Sequence, residues 1–314
     1  MYYTQAIGIM AIHNRDNMKT FEKSFIKNQS AMEYLMTYGW SILIIAVVLG
    51  ALSFLGIFNP LTFAPKATAG NCQVVKNAQL GVSNLVGSCN NQVPQYVAQF
   101  NGKSSFINTT LEFPYGAQQN FTLSVWVYQA GLCTNGGYCG IIDSDNGTNG
   151  WGLTSFKTNE DFWILSSVSG AQQDMYITIP SSGWFNIITT YQYVNGNYVA
   201  NGYINGAGKN LNALRSPIKL PIPYKIQIGI ARNSDGMVFD GMLSNIQLYN
   251  TSLSSNDVKL LYQEGIGGVP INPQNIVAWY PLNGNANDYS GNNNNGVPTN
   301  VVFTSNWFGG YTQP

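Results

Sequence analysis

The stretch Phe239-Asp-Gly-Met-Leu-Ser-Asn-Ile-Gln-Leu-Tyr-Asn-Thr-Ser-Leu-Ser254, followed by Val258, Leu261 and Tyr262, carries two different periods in succession. Leu243–Tyr249 interleaves apolar and polar residues and stops at Asn250, which reads as a strand. From Ser254 the spacing becomes helical. Ser254 or Ser255 can cap a helix, Val258, Leu261 and Tyr262 share one face, and Gly265 stops it. That helix, Ser254–Gln263, is the one soluble helix the sequence predicts.

Upstream, the sequence predicts strands at Tyr96–Phe100, Phe121–Tyr128, Phe162–Ser166, Met175–Ile179, Phe185–Tyr193, Tyr198–Ile204 and Ile226–Ile230. Each is a short β-branched or aromatic run bounded by Gly, Asn or Pro. Asn205-Gly206 is a tight-turn signal. Many strands at regular spacing with one short helix define a mainly β fold, a sandwich or jelly roll.

The opening stretch resembles the closing strand and helix of LamG-like (concanavalin A-like) jelly rolls. Gln99-Phe-Asn-Gly-Lys-Ser-Ser-Phe-Ile107, Phe121-Thr-Leu-Ser-Val-Trp-Val127, Gly183-Trp-Phe-Asn-Ile-Ile-Thr-Thr-Tyr191 and Gly202-Tyr-Ile-Asn-Gly206 follow in that family's order, so the resemblance covers Tyr96 to Glu264. It departs at Ser244-Asn245, where the family usually carries an acidic pair, so an ionic role for that pair is not expected. Asn275–Gly296 resembles the family's first strand and loop, displaced to the C-terminal end. Residues 275–314 therefore read as a permuted or packed-back strand segment of one 72–314 domain. A truncated second unit is the alternative, but so short a segment would not bury its own core.

Before the β region lies a membrane-like segment. Tyr34–Phe58 is almost wholly apolar, and as a helix would span about 38 Å, enough for a bilayer core of roughly 30 Å. Tyr34, Tyr38 and Trp40 cluster at its entry, as interfacial aromatics do. Asn59-Pro60 ends it, and 59–71 is a Pro/Ala/Thr/Gly linker. The leader, residues 1–28, sets Arg15, Lys19, Lys23 and Lys27 against Asp16 and Glu22. That excess places the N-terminus in the cytoplasm and the remainder outside. Translation starts at Met1 or at Met18.

Gln29-Ser30-Ala31-Met32-Glu33 before the apolar segment resembles the archaeal class III signal peptide of type IV pilin-like proteins, with Ser shifted by one position. The resemblance implies cleavage by a prepilin peptidase between Asn28 and Gln29. It makes 29–58 the assembling helix and Glu33 the fifth mature residue, positioned to pair with a neighbouring subunit's α-amino group. An uncleaved plain membrane anchor is the alternative, with Glu33 simply interfacial.

Charged residues are 9% of the chain, and the net charge is zero. That argues against nucleic acid as a partner, which needs a basic surface. The spacing of the four cysteines favours the pairs Cys72–Cys89 and Cys133–Cys139 among three connectivities. Zinc is the competing use, but no Cys-x2-Cys spacing exists and the one histidine, His13, is in the leader. Asn108, Asn120, Asn146 and Asn250 head Asn-x-Ser/Thr sequons, candidate glycosylation sites on an exported domain.

No catalytic constellation is legible. Without a histidine past the leader there is no Ser-His-Asp or Cys-His arrangement, and alternating carboxylates of a glycosidase groove are missing. The expectation is a non-enzyme, with an extracellular glycoside hydrolase as the remote alternative. Asp288, in an Asn-rich loop, is a calcium candidate. Asp143-Ser-Asp-Asn-Gly147 is a second, and both also read as turns using their own side chains as acceptors. No other cofactor is implied. Trp126 and Trp184 read as core, and Trp151 and Trp163 as candidates for stacking on sugar rings. The sequence thus predicts a pilin-like surface protein displaying a LamG-like domain for adhesion to glycan or protein. A structural envelope protein is the alternative.

Overall fold

The computed structural model describes residues 36, 38–54, 64–77, 79–90, 92–113, 120–130, 137–145, 150–156, 159–166, 171–195, 197–208, 215–216, 224–231 and 237–314. The chain divides into two compact units, Met1–Phe63 and Ala64–Pro314.

In the first unit, residues 38–54 form helix α1. Ile42, Leu43, Ile44 and Ile45 are consecutive and all exposed. At 3.6 residues per turn, four consecutive positions go right round a helix, so α1 has no polar face there. A helix apolar on every side suits a core or lipid rather than water. Its described length is about 26 Å, and among the described residues no helix is long and apolar enough to cross a membrane. The remainder of the apolar segment, together with Asn28, Gln29 and Glu33, lies outside the described residues.

The second unit begins at Ala64, inside the expected linker. Its first strands are β1 (Lys66–Ala67), β2 (Cys72–Asn77), β3 (Val82–Gly87), β4 (Val93–Pro94), β5 (Val97–Asn101), β6 (Phe106–Glu112) and β7 (Phe121–Gln129). Then come β8 (Tyr138–Asp145), β9 (Gly150–Phe156), β10 (Asn159–Ser166), β11 (Ala171–Thr178), β12 (Phe185–Val194), β13 (Asn197–Ile204), β14 (Ala207–Gly208) and β15 (Arg215–Ser216). The chain continues through β16 (Lys225–Ile228), β17 (Ile230–Ala231), β18 (Met237–Val238), β19 (Asp240–Tyr249) and helix α2 (Ser255–Gln263). It ends with β20 (Ile276–Tyr280), β21 (Gly296–Thr299) and β22 (Val302–Thr304).

Two large sheets face each other. Sheet I runs β11-β10-β9-β8-β16-β6-β21, and sheet II runs β14-β13-β12-β7-β19-β5-β22. Phe113, Phe121, Leu123, Trp151, Leu153, Ile187 and Tyr191 fill the space between them. The C-terminal segment contributes to both sheets: β20 pairs with β19, β21 with β6 and β22 with β5.

The outer faces of the two sheets differ. In sheet II, Phe185–Tyr191 of β12 and all of β20 are buried without alternation. Helix α2, the β2–β3 hairpin and the loops around β20 cover that side, through Val74, Val258, Leu261, Ile188, Tyr249 and Trp279. A capping box starts α2: Ser254 Oγ accepts the Asp257 N–H, and the Asp257 carboxylate accepts the Ser254 N–H. Gly265, at φ +77°, ends it. Sheet I is different, because β6 alternates buried and exposed residues along its length. Its outer side at β6 and β16 is therefore open.

The Cys72–Cys89 disulfide closes the hairpin, with a Cα–Cα distance of 5.0 Å. Cys139 is also disulfide-bonded, and Cys133 lies outside the described residues.

Trp126 is 2% and Trp184 6% exposed. Tyr311 stands edge-on to Trp126, and its hydroxyl accepts the Ile266 N–H at 3.1 Å. Burial pushes the Tyr311 phenol up to about 12. Its unfolded value is about 10, so the folded state holds this proton more tightly. The contribution is complete below pH 10 and is lost as the pH rises through 12. Urea melts are expected to lose on the order of 2–3 kcal/mol from this group between pH 10 and 12. Tyr311→Phe should lack that step, and an unchanged alkaline slope in this variant would contradict the assignment.

Candidate functional site

On the open side of sheet I lies a depression of about 650 Å³, lined by Asn108, Thr110, Glu112, Asp145, Tyr224, Lys225 and Gln227, with Val297 at one side. Small-ligand sites occupy roughly 300–1,000 Å³. Alternation builds it: Ile107, Thr109 and Leu111 turn into the sandwich, which leaves Asn108, Thr110 and Glu112 facing out.

Register then assembles a polar row across the sheet. Val297 lies opposite Asn108, Asn108 opposite Gln227, and Gln227 opposite Asp143. Asp143 is paired with Gly152, Gly152 with Trp163 and Trp163 with Asp174. A neighbouring pair sets Lys225 opposite Glu112, with a bulge between Lys225 and Gln227. Such a bulge re-aims the side chains beside it.

The lining is held in place. Gln227 Nε2 donates to Asn108 Oδ1 at 2.7 Å. Thr109 Oγ1 donates to the Ile226 carbonyl, and Ser144 Oγ to that of Tyr224, both at 2.8 Å. These anchor β16 and the residue before it. Asp143 and Asp145 are 1% and 7% exposed. Among the described residues the face thus offers amide donors and acceptors, the Glu112 and Asp145 carboxylates, one ammonium group and a half-buried tyrosine. This is a set able to meet hydroxyl groups, which both donate and accept.

The other sequence candidates fall elsewhere. Trp151 is 1% exposed, its Nε1 donating to the Phe113 carbonyl at 2.9 Å and its ring packed on Phe121. It is a core residue and no stacking platform. Trp163 is on β10 in the polar row, and its side chain lies outside the described residues.

Asp288 organises its loop: Oδ1 accepts the N–H groups of Trp279 (3.0 Å) and Ser290 (2.9 Å), and Oδ2 that of Asn294 (2.9 Å). Those donors take up lone pairs that a cation would need. Among the described residues no group of three or more His, Cys, Asp or Glu is placed to hold a metal ion.

Of the sequons, Asn108 lies in the depression, Asn250 is exposed, Asn120 Oδ1 accepts the Tyr193 N–H, and Asn146 lies outside the described residues. A second cavity, of about 40 Å³ beside Asn245, Trp279 and Cys89, has room for water only. Gln227, Lys225, Glu112 and Tyr224 were not singled out by the sequence reading. The alternation of Phe106–Glu112 was the available signal for the face they share.

Two opposed sheets, one covered by α2 and the β2–β3 hairpin and the other open at β6 and β16, define a jelly-roll sandwich of the concanavalin A type. A family model described as the concanavalin A-like lectin/glucanases superfamily matches residues 101–259, just over half of the chain, and the chain belongs to that superfamily. No curated protein matches it in sequence.

Among solved structures, a putative carbohydrate-binding protein from Bacteroides ovatus is similar at 13% identity with a TM-score of 0.50, over 71% of this chain and 66% of that one, just under two thirds of its length. At that identity the likeness is one of fold. A SAP-like pentraxin from Limulus polyphemus gives 13% identity and a TM-score of 0.45, over 66% of this chain and 94% of that one. The CBM40 of a Ruminococcus gnavus sialidase gives 12% and 0.38, over 46% and 84%.

Proposed function

We propose that this chain is a pilin-like, membrane-anchored surface protein whose second unit recognises glycans on the open face of sheet I. The observation that carries the reading is the 650 Å³ depression lined by Asn108, Glu112, Tyr224, Lys225 and Gln227. Superfamily membership supports a sugar as the ligand class. The all-round apolar surface of α1 supports insertion into lipid or packing against like helices.

The reading is non-catalytic. Glycoside hydrolysis needs one carboxyl kept protonated beside a second that is ionised. Here β16 runs between β6, which carries Glu112, and β8, which carries Asp145, and it places Lys225 in the same depression. A lysine set between two carboxyls is no part of the paired-carboxylate arrangement that this reaction uses. Calcium is no part of the proposal.

Glycan-array and calorimetric measurements on the full-length chain in detergent test it. Gln227→Ala and Asn108→Ala are each expected to weaken the best oligosaccharide at least tenfold while leaving the circular dichroism melt in place. Absence of binding to any oligosaccharide at millimolar concentration would sink the recognition half. For the anchor half, mass spectrometry should find a mature N-terminus at Gln29. An intact leader would reduce the helix to a plain anchor.

A further inference from the structure

We infer that the ligand of the depression is a short, extended oligosaccharide lying along β6, parallel to the strands, and not a long chain crossing the sheet on the polar row; this rests on the glycan reading above and names its ligand class. The row offers one residue per strand, but its exposure falls along its length. Val297 is 66% exposed, Asn108 exposed, Gln227 half-buried and Asp143 only 1% exposed. Beside them in the depression, Glu112 and Lys225 are exposed while Asp145 is 7% exposed. All stand on the outer side of sheet I, because Ile107, Leu111, Ile142, Ile226 and Ile228 on the same strands are core residues. The outer side is therefore covered at β8 and open at β6, and a chain laid across the strands would meet that cover after β16.

Along β6 the face stays open. Asn108, Thr110 and Glu112 are all exposed, and they alternate with buried Thr109 and Leu111. Four residue steps of about 3.4 Å make a strip of roughly 14 Å. Gln227 and Lys225 of β16 flank it on one side and Val297 of β21 on the other. An amide, a hydroxyl and a carboxylate follow one another along the strip, and each can bond a sugar hydroxyl. The row from Val297 to Asp174 would instead cross seven strands, about 29 Å at roughly 4.8 Å per step.

The test titrates the full-length chain in detergent by calorimetry with cello-, manno- and arabino-oligosaccharides of two to eight units. In a series that binds, affinity is expected to stop rising by the tetramer, because the strip is about half as long as the row. Thr110→Ala and Glu112→Ala, neither of them in the row, should each weaken the tetramer at least fivefold. Asp174→Asn, at the far end of the row, should leave both tetramer and octamer within twofold. The circular dichroism melt is the folding control for all three variants, and the length series needs no variant.

An affinity that went on rising to the octamer would overturn the inference and leave the glycan reading standing. So would a Glu112→Ala variant that bound as the native chain does, or a fivefold loss of octamer affinity in Asp174→Asn with its melt unchanged. No binding in any of the three series would remove the glycan reading itself, and the inference with it.

Discussion

Ending the chain at Gln274 is expected to abolish folding of the second unit. The removed segment buries Ile276, Val277, Trp279, Tyr280, Leu282, Trp307 and Tyr311, each no more than 7% exposed. At about 1.5–3 kcal/mol for each large side chain, their burial is worth roughly 10–20 kcal/mol as an upper estimate. A domain of this kind has a net stability of about 5–15 kcal/mol.

The loss would also reach elements that remain. β19 would lose the pairing of Ile246–Tyr249 with β20, β6 would lose β21, and β5 would lose β22. The β2–β3 hairpin would lose two attachments, the Lys76 Nζ bond to the Ile276 carbonyl at 2.9 Å and the Val74 N–H bond to the Tyr289 carbonyl at 2.8 Å. The truncated chain should show no near-ultraviolet dichroism and no cooperative melt, and should be cut rapidly by protease. A melt within about 10 °C of the full chain would show that the segment only decorates the sandwich.

These dependencies mark where sequence reading is strong and where it stops. Phe121–Tyr128, Tyr198–Ile204 and the helix from Ser254 were legible because each carries its own periodicity and its own stops. They match β7, β13 and α2 to within a residue or so at each end. Ile226–Ile230 reads as one strand, but Gly229, at φ +81°, divides it into β16 and β17.

The β2–β3 hairpin had no comparable signal. Val74 and Leu85 face the molecule while Val75, Val82 and Val86 are exposed, so the pattern is blurred. What holds the hairpin is a disulfide and a segment some 200 residues further on. Trp151 was misjudged for a related reason. Its inward direction follows from the alternation Trp151, Leu153 once β9 is paired with β8, and that pairing is long-range information. The depression suffers most, since Asn108, Gln227 and Asp143 are distant in sequence and only register puts them in one row.

Asn245→Ala is the other change expected to do large damage, and it concerns the position where the chain departs from the LamG-like pattern. Asn245 is 4% exposed and sits at φ +48° in an irregular stretch of β19. Its Oδ1 accepts Trp279 Nε1 and Gln247 Nε2, both at 2.9 Å. Its Nδ2 donates to the Gly268 carbonyl at 2.9 Å, and its backbone N–H to the Pro281 carbonyl at 3.2 Å. One side chain therefore ties β19 to β20 and to the loop after α2.

Alanine leaves Trp279 Nε1 and the Gly268 carbonyl short of a partner, at about 1–3 kcal/mol each. It also gives up asparagine's tolerance of left-handed backbone, which comes from local side-chain bonding, at about 1 kcal/mol. The total is roughly 3–7 kcal/mol, or on the order of 10 °C in melting temperature. Asn245→Gly removes the backbone strain but not the lost bonds, so it should recover only about 1 kcal/mol of that.

Asn245→Asp separates charge from shape. An ionised carboxylate keeps the bond from Trp279 but faces the Gly268 carbonyl with no proton to give. Burial and that carbonyl raise its pKa above the unfolded value of about 3.9. The variant is then most stable below that value and loses stability as the pH rises through the folded pKa. Its melting temperature should fall between pH 4 and pH 8 relative to the native chain. A constant offset between the two across that range would mean that the Gly268 contact is not what makes asparagine the residue required here.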